Sequence, residues 1–110
     1  ECESLEAVEI PDSVTSIGSG AFQSCNKLKN IVLPDGVQFI GDFAFAYCHS
    51  LESITIPKTV TEIENYAFYE CENLKTVYFT GTRGEWEVLL YNSGTNNPVL
   101  KTVTVHFGEE

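Results

Sequence analysis

The chain has 110 residues, with 16 Asp and Glu against 6 Lys and Arg, and its formal net charge at pH 7 is −10. Hydrophobic residues make up 43% of it, which is enough to build a packed core. The negative charge argues against nucleic-acid binding, which depends on Lys and Arg contacts to phosphate. No apolar run approaches the roughly 20 residues that span a bilayer. We therefore expect one folded, acidic domain with no membrane insertion within this segment.

A single fixed period runs through the sequence. Cysteines recur at a constant step, and so do the leucines three positions after them: Cys2, Cys25, Cys48 and Cys71, with Leu5, Leu28, Leu51 and Leu74. A fixed period of about 20 to 50 residues is typical of a solenoid. Residues 2–24, 25–47 and 48–70 share the pattern C-x-x-L-x-x-[VI]-x-[IL]-P-x-x-V-x-x-I, followed by A-F. We therefore predict three full repeats, after which a fourth begins at residue 71.

The first half of each repeat predicts a short strand. Val8 and Ile10 alternate with Ala7 and Glu9, which is the period of a half-buried strand. The first pair is expected to face the core and the second pair to face solvent. Pro11 then removes a backbone donor and ends the strand.

The second half of each repeat predicts a return toward the core. Val14 to Ile17 indicates a second, shorter extended piece, and Gly18 and Gly41 suit a turn with positive φ. The A-F pair that follows predicts one helical or 3₁₀ turn with its Phe in the core. The pairs are Ala21 with Phe22, Ala44 with Phe45, and Ala67 with Phe68.

Stacking is what allows these repeats to fold, because a single coil cannot bury its apolar side alone. Coils stacked at strand spacing of about 4.8 Å place Leu on Leu and Phe on Phe. The expected fold is a leucine-rich-repeat solenoid of about five stacked coils. A short parallel β-sheet would cover one face, with turns and short helical or 3₁₀ segments on the other.

The fourth repeat departs from the pattern after its strand. Thr82 followed three positions later by Glu85 has the form of a capping box, and residues 85–90 predict a short helix. The letters YNSGTNNP after it indicate a turn. An L-x-x-V-x-V motif from Leu100 then repeats the strand pattern that starts at Leu74, after a slightly longer gap than the other repeats have.

These features predict a single domain over residues 1–110, closed at its C-terminal end by a degenerate capping repeat over residues 71–110. A terminal repeat is atypical because its outer side meets water. No comparable cap precedes the first repeat, so we expect further repeats before residue 1. The uncapped apolar end also predicts self-association of this segment.

The repeats resemble a known family. The stretches CNKLKNIVLP from Cys25 and IGDFAF from Ile40 resemble the BspA-like, or treponemal-type, leucine-rich repeats of bacterial surface proteins, over residues 2–79. The G-T-x-x-x-W stretch from Gly81 is similar to the ending of such arrays. The resemblance implies a secreted or cell-surface protein that adheres to host proteins or to other cells. This chain contains no signal-peptide pattern, so the resemblance alone implies the extracellular or cell-surface location.

Two hypotheses about function follow from this resemblance. The first is a protein-binding adhesion module, with a host or matrix protein as its ligand, and the alternative is a structural spacer that carries another domain. Strand alternation predicts the candidate binding surface on the outward side of the sheet. Its residues are Glu9, Asn30, Val32, Ser53, Thr55, Thr76, Tyr78, Thr104 and His106. The expectation is no enzyme, because no catalytic residue, cofactor site or metal site is evident.

The cysteines and the single tryptophan have structural explanations. Zinc ligands usually lie two to four residues apart, whereas these cysteines come one per coil. Adjacent coils would allow a disulfide by Cα distance, but side chains stacked in parallel rarely have its torsion. We therefore expect free, buried thiols at the coil corners. Trp86 is expected to be a core residue of the cap, with sugar stacking as the alternative.

Overall fold

The structure is a computed structural model that describes residues 5–93 and 97–108. It contains seven short strands, one α-helix and one 3₁₀ helix in these ranges. The strands are β1 (Ser16–Ile17), β2 (Asn30–Val32), β3 (Phe39–Ile40), β4 (Ser53–Ile56), β5 (Glu62–Ile63), β6 (Thr76–Phe79) and β7 (Thr104–Phe107). The helix α1 spans Arg83–Asn92 and the 3₁₀ helix spans Pro98–Lys101.

Two parallel sheets run along the stack of coils. One has the strand order β2-β4-β6-β7 and the other has the order β1-β3-β5. Asn30 pairs with Ser53 and Ser53 pairs with Thr76, so each coil lies directly over the next at the step of the sequence repeat. This arrangement confirms the predicted leucine-rich-repeat solenoid.

The core consists of like side chains stacked from coil to coil. The rings of Phe22, Phe45 and Phe68 stack in series, with centroids 5.4 Å apart and interplanar angles of 7° and 6°. Leu28 and Leu51 are fully buried beside them. Stacking at this spacing gives each buried residue the same neighbours above and below, which is why one repeat pattern suffices for every coil.

The first coil lacks the predicted strand on the larger sheet. Residues 5–10 have no strand, and Val8 and Ile10 are only half-buried. Other hydrogen bonds join this coil to the next, from Gln38 N to Thr15 O (2.8 Å) and from Phe22 N to Ala44 O (2.8 Å). The first coil is therefore held through β1 and the turns, and the larger sheet begins at β2.

Positive φ occurs at other positions than the predicted glycines. The left-handed residues include Gly20, Phe43 and Tyr66, with φ of 67°, 58° and 60°. Gly41 is needed for a different reason, because a Cβ there would lie 2.8 Å from Ser19 N of the preceding coil. Close approach of two backbones therefore explains this glycine, and the prediction of positive φ at that site was wrong.

The A-F segments form successive β-turns and not the predicted helical or 3₁₀ turn. In the second coil, Ala44 N donates to Gly41 O (3.1 Å) and Ala46 N donates to Phe43 O (3.1 Å). The N–H groups between them bond to the next coil, as Phe45 N does to Ala67 O (2.7 Å). Because alternate donors point along the stack, a helix cannot form there.

The C-terminal end follows the prediction in part. The capping box of Thr82 and Glu85 is present, and α1 is longer than predicted, so Tyr91 and Asn92 of the predicted turn complete the helix. Residues 94–96 of that turn lie outside the described residues. Leu100 belongs to the 3₁₀ helix, and Val105 pairs with Val77. The strand therefore starts two positions later than the repeat pattern predicted, and the even shift keeps its outward side unchanged.

Candidate functional site: the outer face of the larger sheet

The strands of the larger sheet present eight of the nine predicted surface residues as two rows. We call them the outer face. The first row is Asn30, Ser53, Thr76 and Thr104, and the second is Val32, Thr55, Tyr78 and His106. Glu9 is exposed but lies in the first coil, where the sheet has no strand. Glu9 therefore remains a predicted surface residue that lies outside the strands of the larger sheet.

The first row is polar and short-chained. The Ser53 hydroxyl donates to Oδ1 of Asn30, which links two coils across the row. Beside this row lies an open depression of about 430 Å³. Its walls include Glu52, Asn73 and Lys75, together with outer-face residues. The row thus offers hydroxyl and amide groups flanked by side chains of both charges.

The second row carries exposed apolar surface. Val32 is 63% exposed and Tyr78 is 47% exposed. The Tyr78 ring stacks on the His106 imidazole, with centroids 5.2 Å apart and an interplanar angle of 17°. This contact holds the tyrosine against the sheet with limited rotamer freedom. The second row therefore has an exposed apolar or aromatic side chain on each side of the half-buried Thr55.

The cysteines belong to the interior of the stack. Cys48 and Cys71 are free and buried, and their thiols donate to Phe22 O (3.1 Å) and Phe45 O (2.9 Å) of the preceding coil. The side-chain hydrogen bond with Cys48, reinforced by burial, raises the pKa of the Cys71 thiol. The same contact with Cys71 lowers the pKa of the Cys48 thiol, against the effect of burial. Both residues are buried in the core, as expected for structural thiols at the coil corners.

Cys25 differs from these two residues. It is disulfide-bonded. Cys2, for which a free thiol was also predicted, lies outside the described residues. The expectation of a free thiol was therefore wrong for Cys25, while Cys48 and Cys71 confirm it.

The remaining candidates also have structural roles. Trp86 is buried and packs on Phe79, with ring centroids 5.2 Å apart, which confirms it as a core residue. His49 lies on the surface with Nε2 3.6 Å from Oε1 of Glu72. Over residues 5–93 and 97–108, no three or more His, Cys, Asp and Glu side chains cluster as metal ligands would. In the same ranges, no helix is long and apolar enough to cross a membrane.

The structure also contains a groove beside α1 that the sequence pattern did not predict. A groove of about 310 Å³ lies between α1 and the coil that it covers. Its apolar walls are Val60, Val88 and Leu89, and its polar walls include Lys58 and Glu85. It depends on how α1 packs against β5, a contact between distant segments that periodicity does not report.

The stacked coils and their short parallel strands define the class of protein as a leucine-rich-repeat solenoid. The chain belongs to the BspA type leucine rich repeat family, whose model matches residues 1–104 in six copies. Repeats of this family are typically non-enzymatic interaction repeats.

A solved structure supports the same assignment. A leucine rich cell surface protein from Faecalibacterium prausnitzii A2-165 is 36% identical, with a TM-score of 0.78 over 80% of this chain. The match covers 23% of that protein's chain, so the present chain corresponds to less than a quarter of it. A leucine-rich repeat protein from Bacteroides ovatus is 23% identical over 73% of this chain and 34% of its own, with a TM-score of 0.38. No curated protein matches the sequence.

Proposed function

We propose that this chain is an adhesion module of a secreted or cell-surface bacterial protein, and that its outer face binds a host or matrix protein. The observation that carries the proposal is the second row, where Val32 and Tyr78 stay exposed on a regular sheet. The structure of a cell-surface relative at 36% identity supports the location. Protein binding across a repeated surface is the usual role of such solenoids.

The dimensions of the outer face suit a short extended segment of a partner. Four strands at about 4.8 Å spacing make it about 14 Å wide across the strands. Equivalent positions of successive coils lie side by side, so a partner can make a similar contact with each coil. A segment lying across the strands would meet Val32, Thr55, Tyr78 and His106 in turn.

The chemistry of the outer face favours a protein ligand. Tyr supplies a large contact area and loses little conformational entropy, and aromatic residues are enriched at binding hot spots. The stack of Tyr78 on His106 lowers that entropy loss further, because the ring is already held in place. The first row adds hydroxyl and amide groups that can pair with a partner's backbone. Hydrogen-bonding capacity around an apolar anchor is typical of protein interfaces.

The test is binding of the chain to a panel of extracellular matrix proteins at physiological salt. The variant V32E/T55E/Y78E places three carboxylates on the second row. We expect saturable binding to at least one panel member and its loss in this variant. The charge-matched control S13E/T15E/Q38E adds the same three charges at exposed positions away from the outer face and should bind as the parent does.

The alternative function is a structural spacer, and the same experiment distinguishes it. A spacer would bind no panel member while remaining folded by circular dichroism. Equal loss of binding in both triple variants would indicate a general charge effect and would argue against the outer face as the site.

A further inference from the structure

A second exposed feature lies on the turn side of the solenoid, apart from the outer face. The rings of Phe43 and Tyr66 stack in parallel at 5.1 Å, and Tyr69 meets Tyr66 edge-on at 5.2 Å. Tyr47 meets Tyr69 edge-on at 5.6 Å, and His49 meets Tyr47 at 6.3 Å. These five rings form one continuous chain, which we call the aromatic surface.

The core does not require the aromatic surface. The inner stack of Phe22, Phe45 and Phe68 already fills the interior at this level of the coils. The outer rings remain half-buried or exposed, and Tyr69 is 37% exposed. Their apolar area is therefore available to a partner.

The first coil shows that the repeat itself does not require these aromatics. Phe43 and Tyr66 both correspond to Gly20 of the first coil, as the repeat pattern aligns them. The equivalent positions for Tyr47, Tyr69 and His49 earlier in the chain hold Ser24, Gln23 and Asn26. The first coil folds over the same turns with none of these rings. The aromatic surface is therefore a particular property of the later coils.

Three of these aromatic residues have a positive φ, which is uncommon for a bulky side chain. Phe43, Tyr47 and Tyr66 have φ of 58°, 63° and 60°, in the left-handed region where glycine is the favoured residue. A bulky residue held in this region is strained, and such strain concentrates at functional sites. Gly20 meets the same backbone requirement without strain, with φ of 67°. The aromatics are thus present where folding alone would favour smaller residues.

The charge around the aromatic surface is negative. Residues 41–50 and 64–73, which carry all five rings, contain no Lys or Arg. Their carboxylates are Asp42, Glu64, Glu70 and Glu72. Partly exposed aromatic rings among carboxylates attract cations through the ring quadrupole and also through the negative charges.

We propose that the aromatic surface binds an arginine-rich segment of a protein partner. Arginine fits better than lysine because its planar guanidinium stacks on aromatic rings and pairs with carboxylates in a fork. The protein already contains one such contact, where the Arg83 guanidinium carbon lies 4.9 Å from the centroid of the Phe107 ring. This surface shares no residue with the outer face, so it would be a second binding site of the solenoid.

The test measures binding of nona-arginine and nona-lysine peptides to the chain by titration calorimetry. The matched variant F43G/Y47S/Y66G/Y69Q installs the first coil's residues at the equivalent positions of the later coils. We expect nona-arginine to bind the parent several-fold more tightly than nona-lysine. We expect the variant to bind nona-arginine roughly tenfold or more weakly while remaining folded. The control F39S/Y91S removes two exposed aromatic side chains that belong to neither proposed site and should bind nona-arginine as the parent does.

Several results would overturn the proposal. One is unchanged affinity for nona-arginine in the matched variant. Another is equal affinity for both peptides together with equal weakening by E70Q/E72Q and by the charge-matched E6Q/E52Q, which would mean general charge attraction. A third is binding of neutral oligosaccharides at the rings with no preference for arginine. Should the fourfold variant unfold, Y69Q alone changes a residue with ordinary φ and should weaken nona-arginine binding about threefold; no change would contradict the proposal.

Discussion

The repeated coils and the closing segment, which consists of α1, the 3₁₀ helix and β7, cover apolar surface in different ways. Within the coils, like packs on like, as Phe22, Phe45 and Phe68 do at a constant 5.4 Å. At α1 in the closing segment, unlike groups meet, as Trp86 does on Phe79 at an interplanar angle of 55°. Repetition can therefore continue a stack, but ending it requires residues that occur once.

The same contrast applies to the backbone hydrogen bonds. Phe22 N and Phe45 N each donate to a carbonyl of the next coil. At the last level, Phe68 N donates to Oδ1 of the Asn97 side chain (3.0 Å), and Nδ2 of Asn97 donates to Glu64 O (2.9 Å). One amide side chain therefore replaces the backbone of a missing coil.

Ser93 has a similar role at the edge of the smaller sheet. Its hydroxyl accepts a hydrogen bond from Ile63 N (3.0 Å) and donates to Leu89 O (2.6 Å). The edge strand β5 is thereby paired by a residue at the end of α1. An unpaired strand edge can recruit other chains, so this bond also protects the end of the stack.

The largest loss of stability is expected from a substitution in the core of the repeated coils. The change Phe45→Ala opens a cavity between two stacked rings and should lower the free energy of unfolding by about 3–5 kcal/mol. The control Tyr78→Ala on the outer face should lower it by less than about 1 kcal/mol. Urea denaturation followed by circular dichroism measures both, and similar losses would contradict the assignment of inward and outward sides.

A smaller loss of stability is expected when Asn97 is replaced, because its side chain bonds to backbone groups of the third coil. Asn97→Ala leaves Phe68 N and Glu64 O without this partner and should lower the free energy of unfolding by about 1–3 kcal/mol. The amide of Phe68 should also exchange with solvent faster. Asn92→Ala removes an exposed amide on α1 and serves as the control. Equal stability of the two variants would show that Asn97 does not replace a coil.

The capping box at the start of α1 should contribute to the free energy of unfolding about as much as helix caps usually do. Thr82 Oγ1 accepts from Glu85 N (3.2 Å), and Glu85 Oε1 accepts from Thr82 N (2.8 Å). Thr82→Ala should lower the free energy of unfolding by about 1 kcal/mol, and Thr82→Ser should restore most of it. Thermal melts of the three proteins test this, and a Ser variant as unstable as the Ala variant would argue against the hydroxyl's role.

The smallest effect concerns the opposite end of the stack. Val8, Ile10 and Val14 are only half-buried there, and no residue comparable to Asn97 is described beside them. We predict weak, concentration-dependent association of this segment through that end. Light scattering over a wide concentration range measures it, and Val8→Lys should reduce it. A monomer at every concentration would count against the prediction.

Much of the candidate site was accessible from the sequence. Alternation placed Val32 and Tyr78 on the outward side, and β7 kept that parity because its register moved by an even number of positions. Glu9 is exposed as alternation predicted, but alternation does not predict whether a segment pairs as a strand, and residues 5–10 do not. The groove beside α1 and the contacts of the aromatic surface were not accessible, since each joins residues from separate segments.

The fixed period of the repeats by itself determined the stack and the core of the coils, because identical side chains in register give every coil the same environment. The tertiary structure decided the backbone conformations and hydrogen bonds at the positions where that environment changes. It placed positive φ at Phe43 and Tyr66, required Gly41 for close approach, and assigned Asn97 to the last coil. These choices depend on atoms of a neighbouring coil or of the closing segment, and no pattern within one repeat contains that information.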